Sequence, residues 1–202
     1  MEKANDLRVI RTKKLIEDAF LTIMEEQGFE GVTVRSLSQK AGINRGTFYL
    51  HYQDIYDLME KLEDCLIEGM NGLSDDEAPR DLTSLDTDNE PFPLIMSFFD
   101  YMNANPRMFK LVFDPQVPSF GHKLTSLLHD RMYAKIPLEL RDSHKQTMPP
   151  DYLIAYFSSA YFGIIHHWFA SGMELSPREM ALMITRLIRH GPLVAALKET
   201  GK

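Results

Sequence analysis

The chain has one cysteine, Cys65, in 202 residues. No internal disulfide can form, and that usage points to a reducing, cytoplasmic setting, with Cys65 a structural residue. Long apolar runs are missing too. Nothing approaches the ~18 consecutive apolar residues of a spanning helix, and the N-terminal MEKANDLRVIRTKK lacks the apolar core of a leader, so no membrane partner is expected. Strand signals are scarce. No glycine-rich phosphate loop, serine-nucleophile elbow or paired-carboxylate pattern occurs, so catalysis has no positive support and no cofactor is expected. The His166-His167 pair invites a metal reading, but neighbours on a helix point about 100° apart and cannot share one ion in simple geometry. No Cys, Asp or Glu follows at ligand spacing, so a buried or interfacial pair is the better reading.

What is present is a globular composition, 44% hydrophobic and 25% charged. Apolar residues recur mostly at spacings of three and four, which predicts an all-α protein. The net charge of −7 argues at first against nucleic acid, but its distribution matters more. Residues 1–52 hold eight basic and seven acidic residues, whereas residues 53–202 hold fourteen and twenty-two. A small DNA-reading head on an acidic body fits that asymmetry.

The stretch from Val34 to Tyr52, VRSLSQKAGINRGTFYLHY, organises the rest. Thr33 is a good N-cap for a short helix opening Val34-Arg35-Ser36-Leu37. Leu37 and Ala41 share one face, Gly42 supplies the freedom a sharp turn needs, and Ile43 is an apolar plug. Asn44 then caps a second short helix, Arg45 to His51. Two short helices joined by a tight glycine turn form the helix-turn-helix pattern, whose second helix lies in the DNA major groove.

Around it, Arg8–Gln27 reads as a helix with Ile16, Ala19, Phe20, Ile23 and Met24 on one stripe. Asp54 caps a helix running to about Asn71, with Ile55, Leu58, Met59, Leu62, Leu66 and Met70 inward. Residues 72–90 form an acidic, turn-rich linker. Helices are predicted over 91–103, 107–113, 119–136 and 151–171, with a polar loop over 137–149. The 151–171 helix is apolar nearly all round and one chain of this size has few ways to surround it, so part of its wrapping is expected from a second copy, and Ser158, Ser159, Ala160 and Gly163 permit a close approach. Ser176-Pro177-Arg178-Glu179 starts the last helix, which carries Met180, Met183, Ile184, Leu187 and Ile188.

The run TVRSLSQKAGINRGTFYLHYQDIYDLM closely resembles the head of the TetR/AcrR family of bacterial transcriptional regulators, over about residues 8–60. The run Trp168-Phe169, Gly172-Met173, Ser176-Pro177, Glu179-Met180 resembles more loosely the C-terminal domain of a Gram-positive subgroup. The resemblance implies a head over residues 1–53 and a helical effector-binding and dimerisation domain over 54–202, with 54–71 connecting them. It implies a homodimer built on the last two long helices and an effector pocket within the middle ones. One position departs from the family. Ile55 stands where a Lys usually opens the connecting helix, so a phosphate contact is missing unless Lys13, Lys14 or Lys40 compensates.

The expected site residues follow. Arg45 is the base reader, because its planar fork can bond a guanine edge bidentately, with a phosphate contact as the alternative. Gly46 lets backbone approach DNA, and Asn44 is a cap first and a base contact second. Thr47, Tyr49 and His51 occupy positions where the family contacts phosphate or sugar, and Tyr49 also suits the head's core. Arg35 and the Thr33 hydroxyl would hold phosphate at the start of their helix. Phe92, Met96, Phe99, Phe109, Phe113, Met132, Tyr156 and Tyr161 are candidate pocket residues for an apolar or aromatic effector, though such residues at helical spacing also make ordinary core. Ile154, Phe157, Ser158, Ile165, Trp168, Met180, Ile184 and Leu187 are the candidate dimer interface. Together these read as a ligand-responsive homodimeric repressor on a pseudo-palindromic duplex. The alternatives are an activator of the same family and a dimeric sensor or adaptor acting through a protein partner.

Overall fold

The computed structural model describes residues 2–73, 89–113, 119–135 and 149–197. Among them it has no strand, and its helices are α1 (Glu2–Gln27), α2 (Val34–Ala41), α3 (Arg45–Tyr49), α4 (Ile55–Asn71), α5 (Pro93–Ala104), α6 (Pro106–Val112), α7 (Ser119–Lys135), α8 (Pro150–Ala170) and α9 (Pro177–Leu197). A single 3-10 turn, Phe29–Gly31, separates α1 from α2. The protein is all-α, with a helix-turn-helix head and a C-terminal helical domain. α1 starts six residues before Arg8, and α3 stops at Tyr49, short of His51. Most of the acidic 72–90 linker and of the 137–149 loop lies outside the described residues.

The chain forms two compact units, Met1–Leu66 and Ile67–Phe113 with Pro118–Lys202, so the break falls within α4 rather than at its start. In the first, α1 packs on α2 and α2 on α3. Ile16, Phe20 and Ile23 of α1 are buried, as are Leu37, Phe48 and Leu58 from α2, α3 and α4.

In the second unit, α5 packs on α9 and α7 on α8. Its centre is aromatic. Phe109 lies 5.5 Å from Phe169 and 6.0 Å from both Tyr101 and Phe120, while Phe99 meets Trp168 edge-on at 5.3 Å. The far end of α4 is held by Arg131 of α7. Its Nη2 donates to the carbonyls of Met70 (2.9 Å) and Asn71 (2.7 Å), and its guanidinium lies over the Phe98 ring. A cation there satisfies terminal carbonyls and complements the helix dipole.

α8 has a buried and an open side. Ile154, Ser158, Tyr161, Ile165 and Trp168, spaced by three and four, are buried within the chain itself. Tyr152, Ala155, Tyr156, Ser159, Gly163, His166, His167 and Ala170 form the exposed stripe opposite. This corrects the candidate interface. Ile154, Ser158, Ile165 and Trp168, with Met180 and Ile184 of α9, are covered by their own chain and have no area to offer a second copy. Phe157 and Leu187 are half-buried. Tyr156 is also corrected: 50% exposed, it sits opposite the stripe facing the interior and lines no enclosed pocket. Cys65 is exposed on α4.

Local chemistry sets the ends of α8 and α9. Gly172 (φ 79°) follows α8, with Met173 N–H donating to Trp168 O at 2.8 Å and Gly172 N–H to Phe169 O at 3.1 Å, the paired bonds of a Schellman stop. Ser176 and Glu179 make a reciprocal capping box: Glu179 Oε2 accepts from Ser176 N–H at 2.8 Å, and Ser176 Oγ from Glu179 N–H at 3.3 Å. The Ser176 hydroxyl, which donates to the same Oε2 at 2.6 Å, and then the Ser176 N–H hold the Glu179 carboxyl below the usual range.

Thr185, fully buried on α9, joins that helix to the start of α5. Its Oγ1 accepts from Phe92 N–H at 3.0 Å and donates to Ala181 O at 2.8 Å. Thr185→Val keeps the shape but leaves a buried N–H unpaired, a loss of about 1–3 kcal/mol. Chemical denaturation of the full chain checks this; a variant within about 0.3 kcal/mol of the parent contradicts the assigned role.

Candidate nucleic-acid interface

Two caps and one glycine shape the head's outer surface. Thr33 Oγ1 accepts from Ser36 N–H at 3.0 Å, and Ser36 Oγ accepts from Thr33 N–H at 2.9 Å, closing a capping box at α2. At the other end, Gly42 (φ 66°) lets its own N–H reach Gln39 O and that of Ile43 reach Ser38 O at 2.9 Å. The left-handed residue reverses the chain within two positions, and Ile43 turns back half-buried. Asn44 Oδ1 then accepts from Thr47 N–H at 2.8 Å and from Thr47 Oγ1 at 3.1 Å, which starts α3.

α3 is divided sharply between two environments. Phe48 is 0% exposed, edge-on to Tyr49 at 5.6 Å and 5.7 Å from Tyr52. Arg45, Gly46 and Tyr49 face out, with Tyr49 58% exposed, so its place is the surface and not the head's core. A Cβ on Gly46 would come within 3.2 Å of Asn44 Oδ1, so the missing side chain makes room for the cap as well as opening the surface.

The remaining candidates divide by how free their polar atoms are. Arg35 is exposed, and neither it nor Arg45 makes an ion pair among the described residues. Thr33 is a cap: its hydroxyl also donates to Ser36 Oγ at 3.0 Å, so its donor is already engaged. Thr47's hydroxyl donates to Asn44 and the residue is half-buried, whereas Asn44 is exposed. His51 is half-buried beyond the end of α3. Burial first, and then the nearby Lys13 cation, hold its pKa below the usual 6.5.

The cations expected to compensate for Ile55 stand differently from one another. Lys40 is paired with Glu26, Nζ lying 2.9 Å from Oε1 and 3.0 Å from Oε2. Lys13 and Lys14 are exposed on α1, and Lys13 is the one close enough to influence His51. Sequence reasoning missed Lys61. It folds back from α4 to donate to His51 O at 3.2 Å and Asp57 Oδ2 at 2.9 Å, with its ammonium over the Tyr52 ring. Lys61 and the Gln53 N–H together hold the Asp57 carboxyl low. Tyr52 Oη donates to Glu17 Oε1 at 3.4 Å; burial, reinforced by Glu17, pushes its pKa up. These contacts fix the chain leaving α3 against α1 and α4.

In the second unit, Phe92, Phe99, Phe109, Phe113 and Tyr161 are buried and Met96 is half-buried. The Met132 side chain lies outside the described residues. No group of three or more metal-ligating side chains occurs among the described residues, and no helix there is long and apolar enough to cross a membrane. His166 and His167 are exposed, His166 edge-on to Phe113 at 5.8 Å.

An exposed α3 carrying Arg45, which makes no ion pair among the described residues, with Gly46 and Tyr49, braced on a buried Phe, is the arrangement a DNA-reading helix needs. The chain matches the family described as "Bacterial regulatory proteins, tetR family" over residues 16–62, and the one described as "Transcriptional regulator C-terminal region" over residues 89–190. The HTH-type transcriptional regulator YxbF of Bacillus subtilis is 37% identical over 62 residues, which is 30% of this chain and 16% of that protein. Among solved structures, the dihydroxyacetone kinase operon activator DhaS superposes with a TM-score of 0.62 at 20% identity, over 88% of this chain and 93% of that one. NalD of Pseudomonas aeruginosa, the secondary repressor of an efflux pump, does so with a TM-score of 0.64 at 16% identity, over 95% and 98%. At these identities the structural likeness is one of fold. The two sequence matches carry the identity: this chain belongs to the TetR family of DNA-binding transcriptional regulators, which are not enzymes.

Proposed function

We propose that this regulator is a ligand-responsive repressor acting as a homodimer, one α3 entering each of two successive major grooves of a pseudo-palindromic operator. The division of α3 carries the reading: Phe48 is anchored at 0% exposure while Arg45, Gly46 and Tyr49 face out. Arg45 reads a guanine edge, and the Asn44 amide is available to a neighbouring base. Tyr49, His51 and the free side of Thr47 meet phosphate or sugar, and Arg35 meets phosphate at the start of α2. Thr33 contributes by holding α2 in place. Such a protein works where the DNA is, in the cytoplasm. Activation is the second reading, because DhaS, described as an activator, shares the fold.

The second copy docks on the open stripe of α8. Tyr152 and Tyr156 supply apolar area there, and a Cβ on Gly163 would meet nothing within 4 Å, so another helix has room to approach. Half-buried Leu187 of α9 and Phe157 of α8 are the original candidates that still have area to offer. The effector is a small apolar or aromatic molecule held among the middle helices, near Phe92, Met96, Phe99, Phe109, Phe113 and Tyr161. To weaken operator binding about 100-fold, it must favour the non-binding form by about 2.7 kcal/mol, within ordinary coupling energies.

Two outcomes test the interface. Arg45→Ala should erase discrimination at one base position of each half-site, a loss of about 1–3 kcal/mol against the wrong base. Arg35→Ala should weaken all sequences alike and flatten the salt dependence by about one unit of slope. Competitive binding to matched and single-substituted duplexes separates them; equal losses with preference unchanged would remove the base-reading role from Arg45.

The His51 environment gives a pH dependence with a definite sign. In the free protein its pKa lies below 6.5, so the ring is neutral at neutral pH. A phosphate beside it favours the imidazolium, so binding takes up a proton and operator affinity falls as pH rises through the window around 6.5. The slope is at most about tenfold per pH unit for each head, and His51→Gln should flatten it. Titrations over that window check this; identical slopes in parent and variant would place His51 away from phosphate.

A further inference from the structure

The outward face of α3 does not stop with the helix. Leu50, the residue after Tyr49, keeps right-handed helical angles (φ −72°, ψ −19°), and its N–H donates to Gly46 O at 3.2 Å. Its side chain therefore follows the register of the residues before it. At about 100° per residue, Arg45, Tyr49, Gly46 and Leu50 fall in that order around one continuous arc of roughly 140°. Burial agrees with the register: all four are exposed, whereas Thr47, Phe48 and His51 on the other side are half-buried or buried.

Leu50 is 80% exposed, more than Tyr49 at 58%. A solitary exposed leucine needs no explanation on a protein surface. This one differs by its place, because it ends the arc on which Arg45 stands. Gly46, one turn earlier in the same row, has no side chain to screen it, and a Cβ there would meet only Asn44 Oδ1 within 4 Å. Leu50 is thus the projecting edge of an otherwise open row.

What such a side chain can recognise is narrow. Leucine has neither donor nor acceptor, so against a phosphate oxygen or a polar base edge it only displaces water. The major groove offers one prominent apolar feature, the C5-methyl of thymine, and guanine–cytosine pairs offer no methyl there. Covering that methyl with Leu50 removes apolar area from water on both partners.

We infer that Leu50 is a specificity-determining residue that reads a thymine methyl group in each half-site. The inference rests on the proposed entry of α3 into the major groove. To the hydrogen bonds proposed for Arg45 it adds a second kind of readout, an apolar one.

The parent first selects an operator from a random duplex pool. Each thymine of that operator is then replaced in turn, in both half-sites, by deoxyuridine, which deletes the methyl and keeps every hydrogen-bonding group. One such replacement should weaken the parent about fourfold per half-site, the worth of one buried methyl. Leu50→Ala should melt within about 2 °C of the parent, bind the unmodified operator more weakly, and be indifferent to that same replacement. Leu50→Met, which keeps an apolar reach, should retain the penalty. A methyl that matters equally to the parent and to Leu50→Ala would belong to another side chain and overturn the inference. An operator without thymine, or a parent indifferent to every replacement, would overturn it too, while leaving the groove-reading α3 standing. A parent that selects no sequence would bring down the α3 reading as well.

Discussion

A helix of five residues has no stability of its own, since nucleation consumes most of what one turn returns. The surface we propose this regulator turns toward DNA is such a helix, so its position depends on what holds α3 from either side. Phe48 is locked into the core formed by α1, α2 and α4, and Asn44 supplies the first hydrogen bonds. Behind them, Gly42 sets the reversal from α2, and Lys61 and Tyr52 fix the exit. The Arg45 guanidinium then carries no ion pair among the described residues. In the proposed reading, that separation lets Arg45 and Tyr49 serve recognition without weakening the fold.

The head also resolves how an acidic protein meets a polyanion. Lys40 is matched to Glu26 and Lys61 to Asp57, so those charges are largely balanced before DNA arrives. Exposed ion pairs of this kind are worth at most about 1 kcal/mol, and phosphate can compete for them. The guanidinium groups of Arg35 and Arg45 carry no such partner among the described residues. Lys13, beside His51, supplies positive charge near the end of α3, which Ile55 does not.

The head was legible in the sequence because its signals are local. Thr33, Gly42 and Asn44 each act within three residues, through one cap or one dihedral angle, and each does what its residue type suggests. The capping partner at α2 was missed because Ser36 stands where the usual pattern has Glu or Gln. The fold-back of Lys61 and the Lys40–Glu26 pair join residues 10 and 14 apart, beyond any helical period. α8 was least legible. A helix apolar nearly all round carries no periodic mark to say which side its own chain covers, and the tertiary partners chose Ile154, Ile165 and Trp168 over Tyr152 and Tyr156.

The central claim is that two clamped copies present their α3 helices in phase with the duplex. It is tested most directly by the affinity for a selected operator as base pairs are inserted between its half-sites. Inserting about five, half a helical turn, should reduce binding to that of a single half-site, and about ten should return the two sites to one face and restore part of the loss. Affinity indifferent to that phase would contradict a paired, groove-reading dimer.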